Sequence, residues 1–364
     1  MDPPPAEGCR VSMTSMQADC TDLPPRSDQG RKGEGMSKTA TPAKAGLRAT
    51  VSCHALLAAL LGVGGLTAAL VGTTEPAYAD KCLVVFDITG SAADGADDGG
   101  HAANIACGHN ASATGNGDNS AFGTSSSANG DGSNNTALGY NAHASGTSSH
   151  NTSVGGSANS DGDASINTAV GDLATAYGAS SGNVAVGDQA QSQGDLSHNL
   201  AIGAVALSFG QNSANIASGF MAAATGDGGS NIATGNSAVA VGAGSANVAT
   251  GLSSDASGNT SNNIATGSRA KATGDDSANI ATGLLANASG NSSNNIAVGN
   301  GADGHGDESN NTADGSAARA SGSNSANTAN GYGANAAGDG AANIASGFSA
   351  NASGLGSNNL AAGS

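Results

Sequence analysis

Polar and apolar positions recur along this chain with one fixed period from Asn104 onward. Counted from its first residue, a unit reads N-I-A-T-G-x-x-A-x-A-x-G-x-x-x-x, as it does from Asn263 and from Asn279. Position 1 is Asn in all seventeen copies between Asn104 and Asn359. The first interval is fifteen residues long and every later interval is sixteen. A period of this length predicts a repeat architecture.

Each unit contains two short segments with strand character, and each segment ends at a Gly. Position 2 is often β-branched, which favours extended backbone, and Gly at positions 5 and 12 permits the positive φ angles of tight turns. We therefore predict an all-β fold, a parallel β-roll or β-solenoid of about seventeen 16-residue repeats. With successive rungs about 4.8 Å apart, such a rod would be roughly 80 Å long.

Side-chain alternation predicts which positions face the interior. Positions 8 and 10 are small and position 9 is polar, so 8 and 10 should face inward. The Asn column at position 1 is expected to form an interior ladder, each carboxamide bonding to the copies above and below or to turn backbone. Positions 2 and 4 then face outward. An outward assignment also avoids burying Asp314 of position 4 in a narrow dry coil.

The outward pair carries an apolar stripe, because one of positions 2 and 4 is apolar in nearly every copy. An exposed stripe of this extent calls for a partner, and self-association would cover it. The candidate oligomer seam at position 2 consists of Ile216, Ile232, Val248, Ile264, Ile280 and Ile296.

Composition alone would predict a disordered chain and not an ordered solenoid. Leu, Ile, Val and Phe total 49 of 364 residues, there is no Trp, and Gly numbers 58, a balance typical of disordered chains. A disordered chain has no reason to keep Gly at two fixed places in every sixteen residues. The periodicity therefore favours an ordered solenoid.

The segments before the repeats divide into three. Residues 1–35 are predicted to be disordered or an upstream extension, which leaves the true start open between Met1 and Met36. Residues 36–79 have the pattern of an export signal: a basic start, an apolar run from Ala55 to Val71, and Ala77-Tyr78-Ala79 before Asp80. A single membrane anchor is the alternative. Residues 80–103 are the candidate amino-terminal cap of a solenoid over 104–364.

The charge of the chain narrows the choice of binding partners. The net charge of -17 lies entirely on residues 80–364, so nucleic acid and anionic lipid are not expected as partners.

Cys82 and Cys107 remain after removal of the signal. They form either a disulfide in an oxidising compartment or two unpaired thiols.

The repeat resembles the YadA-like head repeat of trimeric autotransporter adhesins, which reads S-V-A-I-G-x-x-A-x-A-x-G. The closest copies here are Asn183-Val184-Ala185-Val186-Gly187 and Asn199-Leu200-Ala201-Ile202-Gly203, and Asn263 to Gly267 and Asn279 to Gly283 follow the same pattern. The resemblance implies a left-handed β-roll, a homotrimer with positions 2 and 4 near the seam, and display on a bacterial surface with binding to host matrix, cells or glycan. The family's usual period is fourteen, so the extra two residues lie after position 12.

No constellation of residues predicts catalysis, a metal site or a cofactor, so we expect neither an enzyme nor a cofactor. Asp follows the second Gly in seven copies; we interpret these side chains as solvated turn charges, with loose cation binding as the alternative. The leading hypothesis is an exported, adhesin-like structural rod. The alternative is a monomeric secreted solenoid with a surface array for ice, mineral or glycan, and its candidate array at position 4 is Thr234, Thr250, Thr266 and Thr282.

Overall fold

A computed structural model describes residues 95–363 of the chain. The predicted segments 1–35 and 36–79, the first part of the segment 80–103, and Cys82 lie outside the described residues. Within residues 95–363 the chain is a parallel β-solenoid without an α-helix, so the predicted fold class is confirmed. Each sixteen-residue turn, here called a coil and identified by its first Asn, contributes one rung.

Positions 2–4 of each coil form a three-residue strand, and these strands make a 17-stranded sheet. Every strand pairs in parallel with the equivalent residues of the next coil, as in Ile264↔Ile280. The strands are β1 (Ile105–Cys107), β3 (Ser120–Phe122), β5 (Thr136–Leu138), β7 (Thr152–Val154), β9 (Thr168–Val170), β11 (Val184–Val186), β13 (Leu200–Ile202), β15 (Ile216–Ser218), β17 (Ile232–Thr234), β19 (Val248–Thr250), β20 (Ile264–Thr266), β21 (Ile280–Thr282), β22 (Ile296–Val298), β23 (Thr312–Asp314), β24 (Thr328–Asn330), β25 (Ile344–Ser346) and β26 (Leu360–Ala362).

Positions 9–11 form the second sheet, which has nine strands. They are β2 (Ser112–Thr114), β4 (Ser127–Asn129), β6 (His143–Ser145), β8 (Asn159–Asp161), β10 (Thr175–Tyr177), β12 (Gln191–Gln193), β14 (Leu207–Phe209), β16 (Ala223–Thr225) and β18 (Val239–Val241). From Asp255 onward, single bridges such as Asp255↔Lys271 replace the strands. Backbone hydrogen bonds between these coils continue there, as from Ala272 N–H to Asp255 O at 2.8 Å. The expectation of two strands per coil therefore holds only up to Val241.

The core consists of small side chains. Ala at positions 3, 8 and 10 is almost fully buried along the solenoid, and Asn at position 1 is buried beside it in all but the last coil. Positions 2 and 4 are exposed or half-buried, as predicted. The sequence interpretation missed position 15, where a Ser is buried in most coils, as with Ser149 and Ser277. Its hydroxyl bonds to interior carbonyls, for example Ser277 Oγ to Gly290 O at 2.8 Å.

Both glycine columns follow from the closeness of successive coils. Gly187 of position 5 has φ 138° and Gly194 of position 12 has φ 148°. A Cβ would come within 2.5 Å of the Gly203 oxygen in the first case and within 1.9 Å of the Gly210 oxygen in the second. No side chain fits at either position. Gly203, Gly267 and Gly283 occupy the same position 5 with φ from 122° to 135°.

The interior ladder of Asn is confirmed, and its hydrogen bonds run between side chain and backbone. Asn263 Oδ1 accepts the N–H of Asn279 at 2.9 Å. Asn263 Nδ2 donates to Ser257 O of the preceding coil at 3.0 Å and to Gly274 O of its own coil at 2.9 Å. Asn183, Asn199 and Asn279 make the same set of bonds. Each carboxamide thus joins three segments of backbone.

Positions 7 and 14 were not recognised as special from the sequence. They close the two turns in left-handed backbone with φ near 50–58°, although most are not Gly. Val205 at position 7 has φ 56°, which is unusual for a β-branched side chain. Gly301 and Gly333 occupy position 7 of other coils in the same left-handed backbone, where they have no side chain to make it unfavourable.

Residues 95–103 precede the first full coil. Ala96 is buried, and Asp97 bridges to Ser112 in the place that position 9 has in later coils. This segment therefore extends the second-strand side of the solenoid by one rung.

Asn262 and Asn263 allow a matched test of the ladder, because one side chain is exposed and its neighbour is fully buried. Asn263→Ala should lower the free energy of unfolding by about 3 kcal/mol, since it leaves one N–H and two carbonyls without their partner. Asn262→Ala should change it by less than about 0.5 kcal/mol. Urea unfolding followed by circular dichroism measures both; equal effects would contradict the assignment of the ladder.

Val205→Gly should stabilise the solenoid by up to about 1 kcal/mol, because it removes a β-branched side chain from left-handed backbone. The control Val239→Gly, in strand β18, should be destabilising by about 1 kcal/mol. Urea midpoints compare the two, and a destabilised Val205→Gly variant would show that packing of Val205 outweighs the backbone cost.

Candidate binding surfaces

The solenoid presents two sheet faces and two turn edges. The first face carries positions 2 and 4, and the second face carries positions 9 and 11. The first edge carries positions 6 and 7, and the second edge carries positions 13, 14 and 16. Because the interior positions hardly vary, differences among coils are concentrated on these four surfaces.

All six candidate seam residues lie in one column on the first face. Ile216, Ile232, Val248, Ile264, Ile280 and Ile296 pair in register from coil to coil. Their neighbours cover them only in part, and Ile264 remains 37% exposed. Their role as a seam stays a prediction.

The apolar stripe changes column along the rod. In the coils that begin at Asn119 to Asn199 it occupies position 4, with Phe122, Leu138, Val154, Val170, Val186 and Ile202. From Val184 to Ile296 it occupies position 2. The two columns overlap at the coils of Asn183 and Asn199, where both positions are apolar. The stripe is therefore continuous and runs obliquely across the first face.

The second face is mainly polar and carries Asp303 and His305, two side chains whose pKa values are shifted. His305 Nδ1 contacts Asp303 Oδ1, and Arg319 Nε lies 3.9 Å from Asp303 Oδ2. The hydrogen bond with Asp303 raises the pKa of His305. Burial raises the pKa of Asp303, but the hydrogen bond and charge of His305, with Asn287 and Arg319, outweigh it and lower that pKa.

The second edge is acidic. Ten carboxylates lie at positions 13, 14 and 16 between Asn104 and Gly363, and no Lys or Arg lies there. The carboxylates of position 13 accept hydrogen bonds from the backbone of the preceding coil, as in Ala179 N–H to Asp195 Oδ1 at 2.8 Å. These Asp side chains are turn charges held by the backbone, in agreement with the sequence interpretation.

An open groove of about 630 Å³ lies between the second face and the second edge. The Gly column at position 12 forms its floor. Hydroxyl groups of Ser257, Thr273 and Ser289 line one wall, and Asn259 and Asp275 lie on the other. His305 lies at one end of the groove.

Among residues 95–363, no group of three or more His, Cys, Asp or Glu is arranged to hold a metal ion. No helix in this part of the chain could cross a membrane. Cys107 is disulfide-bonded, while Cys82, its predicted partner, lies outside the described residues. The pairing of these two cysteines stays a prediction.

Neither a protein-family model nor a curated protein matches this sequence.

The pair formed by His305 and Asp303 should give a small pH dependence of stability. The folded pKa of His305 lies above its ordinary 6.5, so its contribution is fully present below about pH 6.5 and is lost as the pH rises through the raised pKa. The folded pKa of Asp303 lies below 3.8, so its contribution is lost only as the pH falls through that lowered value.

Replacement of His305 by Asn should therefore cost more stability near pH 5 than near pH 9, by less than about 1 kcal/mol because both groups are partly exposed. Urea unfolding at the two pH values measures the difference. The control is the same replacement in an Asp303→Asn background, where the carboxylate partner of His305 is absent and the difference should largely disappear. The same loss at both pH values for His305→Asn would contradict the ion pair.

Proposed function

We propose that this chain is an exported structural rod that assembles with copies of itself, as a homotrimer, and adheres through its remaining surfaces to other cells, matrix or glycan. The observation that carries the proposal is the continuous apolar stripe on the first face. The first edge beside it also exposes large apolar side chains, such as Phe220 and Leu285, whereas the second face is mainly polar and the second edge is acidic. Export is supported by the signal pattern of residues 36–79.

The dimensions of the stripe fit self-association. Two columns together about 10 Å wide, over the twelve coils from Asn119 to Asn295 or roughly 55 Å, amount to about 550 Å², near the lower end of the area that each partner contributes to a specific interface. Copies packed in parallel and in register would place apolar side chains opposite each other along the whole stripe. Between Asn104 and Gly363, positions 2 and 4 carry a single charged side chain, Asp314, so few like charges would meet at such a seam.

Three copies are proposed because the repeat resembles that of trimeric adhesin heads. The interior of residues 95–363 is filled by Ala, Asn and Ser side chains that hold the coils together, so we propose a structural and adhesive role and no catalysis. Light scattering of the purified chain after size exclusion tests the assembly. A mass three times that of the chain supports the trimer, and a monomer would overturn it.

A second candidate is a monomeric solenoid that binds ice. Thr234, Thr250, Thr266 and Thr282 form a column on the first face, and successive members pair in register, as in Thr250↔Thr266. The hydroxyls therefore repeat at about 4.8 Å. The column spans only four coils before Val298. Thermal hysteresis of the purified protein would support ice binding, and its absence would exclude it.

Simultaneous replacement of Ile232, Ile264 and Ile280 by Asp should dissociate the oligomer, because the seam would bury three carboxylates per chain without partners. The circular dichroism spectrum should remain that of a β protein, because these side chains face outward. The measurements are light scattering and circular dichroism of the same sample.

The matched control replaces three position 9 side chains on the second face, Thr175, Leu207 and Ala223, by Asp; they have the same spacing along the rod as Ile232, Ile264 and Ile280. This variant should keep the mass of the wild type. Dissociation of the control instead would place the seam on the second face, and loss of the fold in the first variant would mean that position 2 stabilises the coil itself.

A further inference from the structure

Position 11 of the second face alternates between two kinds of residue over seven coils. Tyr177, Phe209 and Val241 are apolar and lie 32 residues apart. Polar side chains occupy the coils before, between and after them, namely Asp161, Gln193, Thr225 and Ser257. The pairings Tyr177↔Gln193 and Gln193↔Phe209 show that these side chains succeed one another directly along the rod.

Position 13 alternates in the same coils and with the opposite phase. Asp163, Asp195, Asp227 and Asn259 share their coils with the polar members of position 11. Ala179, Gln211 and Ala243 share theirs with Tyr177, Phe209 and Val241. The backbone N–H of Gln211 donates to Asp227 Oδ1 at 2.8 Å. The second carboxylate oxygen of Asp227 has no hydrogen-bond partner among residues 95–363 and is available to a ligand.

The fold does not require this alternation. Charge repulsion explains why two Asp residues do not follow each other at position 13, since adjacent rungs are only about 4.8 Å apart. It does not explain why the apolar side chains Tyr177, Phe209 and Val241 lie two coils apart at position 11. Tyr177 is 40% exposed and Val241 is 37% exposed, so neither is needed for the core.

Together the two columns form a track with a period of two rungs, about 9.6 Å. Each period offers one apolar platform at position 11 and one carboxylate or carboxamide at position 13. A shallow groove lies at the start of the track, beside Asp161, Tyr177 and Ala179. The larger groove floored by the Gly column begins at Val241, near the end of the track, and continues along the hydroxyls of Ser257 and Thr273. A ligand that matches the whole track must be linear and must repeat every two units.

We propose that this track binds an extended, neutral polysaccharide with β-1,4 linkages. Successive sugars of such a chain are turned over relative to each other, and its disaccharide repeat is close to the two-rung period of about 9.6 Å. The apolar face of every second sugar would lie on Tyr177, Phe209 and Val241, and its hydroxyls would donate to the Asp oxygens. The acidic edge disfavours anionic polysaccharides.

This inference rests on the proposed adhesive function and names its ligand class. It does not depend on the seam, because the track lies on the second face. A chain that forms the expected trimer without binding glycan would overturn the ligand and leave the assembly intact. A monomer that binds glycan would overturn the proposed assembly and support the proposed ligand class.

The test is binding of the full chain to β-1,4-linked glucan and to a β-1,4-linked polymer of N-acetylglucosamine, by affinity electrophoresis with soluble forms and sedimentation with insoluble cellulose and chitin. Retention by one or both supports the proposal and identifies the sugar. Carboxymethylated glucan, which has the same backbone with negative charges, should bind more weakly. No retention on either neutral polymer would overturn the proposal.

Two variants test the track itself, with folding checked by circular dichroism. Combined Tyr177→Ala and Phe209→Ala should weaken binding at least about tenfold, because two stacking platforms are lost. The exchange of Tyr177→Gln with Gln193→Tyr keeps composition constant and moves one ring by one rung. It should also weaken binding, because the two-rung spacing between rings is lost.

The control removes the exposed, stacked rings of the first edge by Tyr332→Ala and Phe348→Ala; their centroids lie 5.3 Å apart. This variant should bind like the wild type. Equal loss in the control would show that any exposed ring suffices, and unchanged binding after the exchange would show that spacing has no role. Either result would overturn the proposal.

Discussion

The hydrogen bonds of one buried Asn per coil are the interaction on which this solenoid depends. A core of Ala offers little apolar area, so burial alone would stabilise so thin a coil only weakly. The carboxamide of Asn279 supplies what Ala lacks: it accepts from the next coil and donates to Thr273 O and Gly290 O. Neither a shorter polar side chain nor an apolar one could satisfy all three sets of backbone groups.

The close packing of successive coils explains why the surfaces of the solenoid can differ strongly in polarity while its interior hardly varies. Gly at positions 5 and 12 and Asn at position 1 are required by the backbone in every coil, whereas positions 2, 4, 9 and 11 meet only neighbouring copies and solvent. Substitution there costs the fold little. One scaffold can therefore carry an apolar face, a polar face and an acidic edge that run side by side.

A rod with surfaces of this kind suits tasks that need length and repetition. Stacking turns a column in the sequence into a row with a spacing of about 4.8 Å, and a two-coil alternation into a row with twice that spacing. Apolar rows suit contact between copies of the rod, and alternating rows suit a polymer with a matching repeat. Position within the coil determines the surface, and the order of coils determines the pattern along it.

The sequence by itself determined the repeat, the parallel all-β fold and the inward or outward direction of most positions. Strict columns such as Asn263 and Gly267 with their copies carry that information directly, because each must satisfy the same local geometry in every coil. The outward direction of position 2, where the candidate seam residues lie, could be predicted because its side chain alternates with those of positions 1 and 3.

Other features were decided only by the stacking of coils. The burial of Ser277 and its copies, the left-handed backbone at Val205, and the loss of the second strands after Val241 depend on contacts with the coils above and below. The continuous oblique stripe and the groove along position 12 likewise exist only once residues sixteen apart become neighbours. The residue types within one unit cannot predict these contacts, because the contacts join residues of different units.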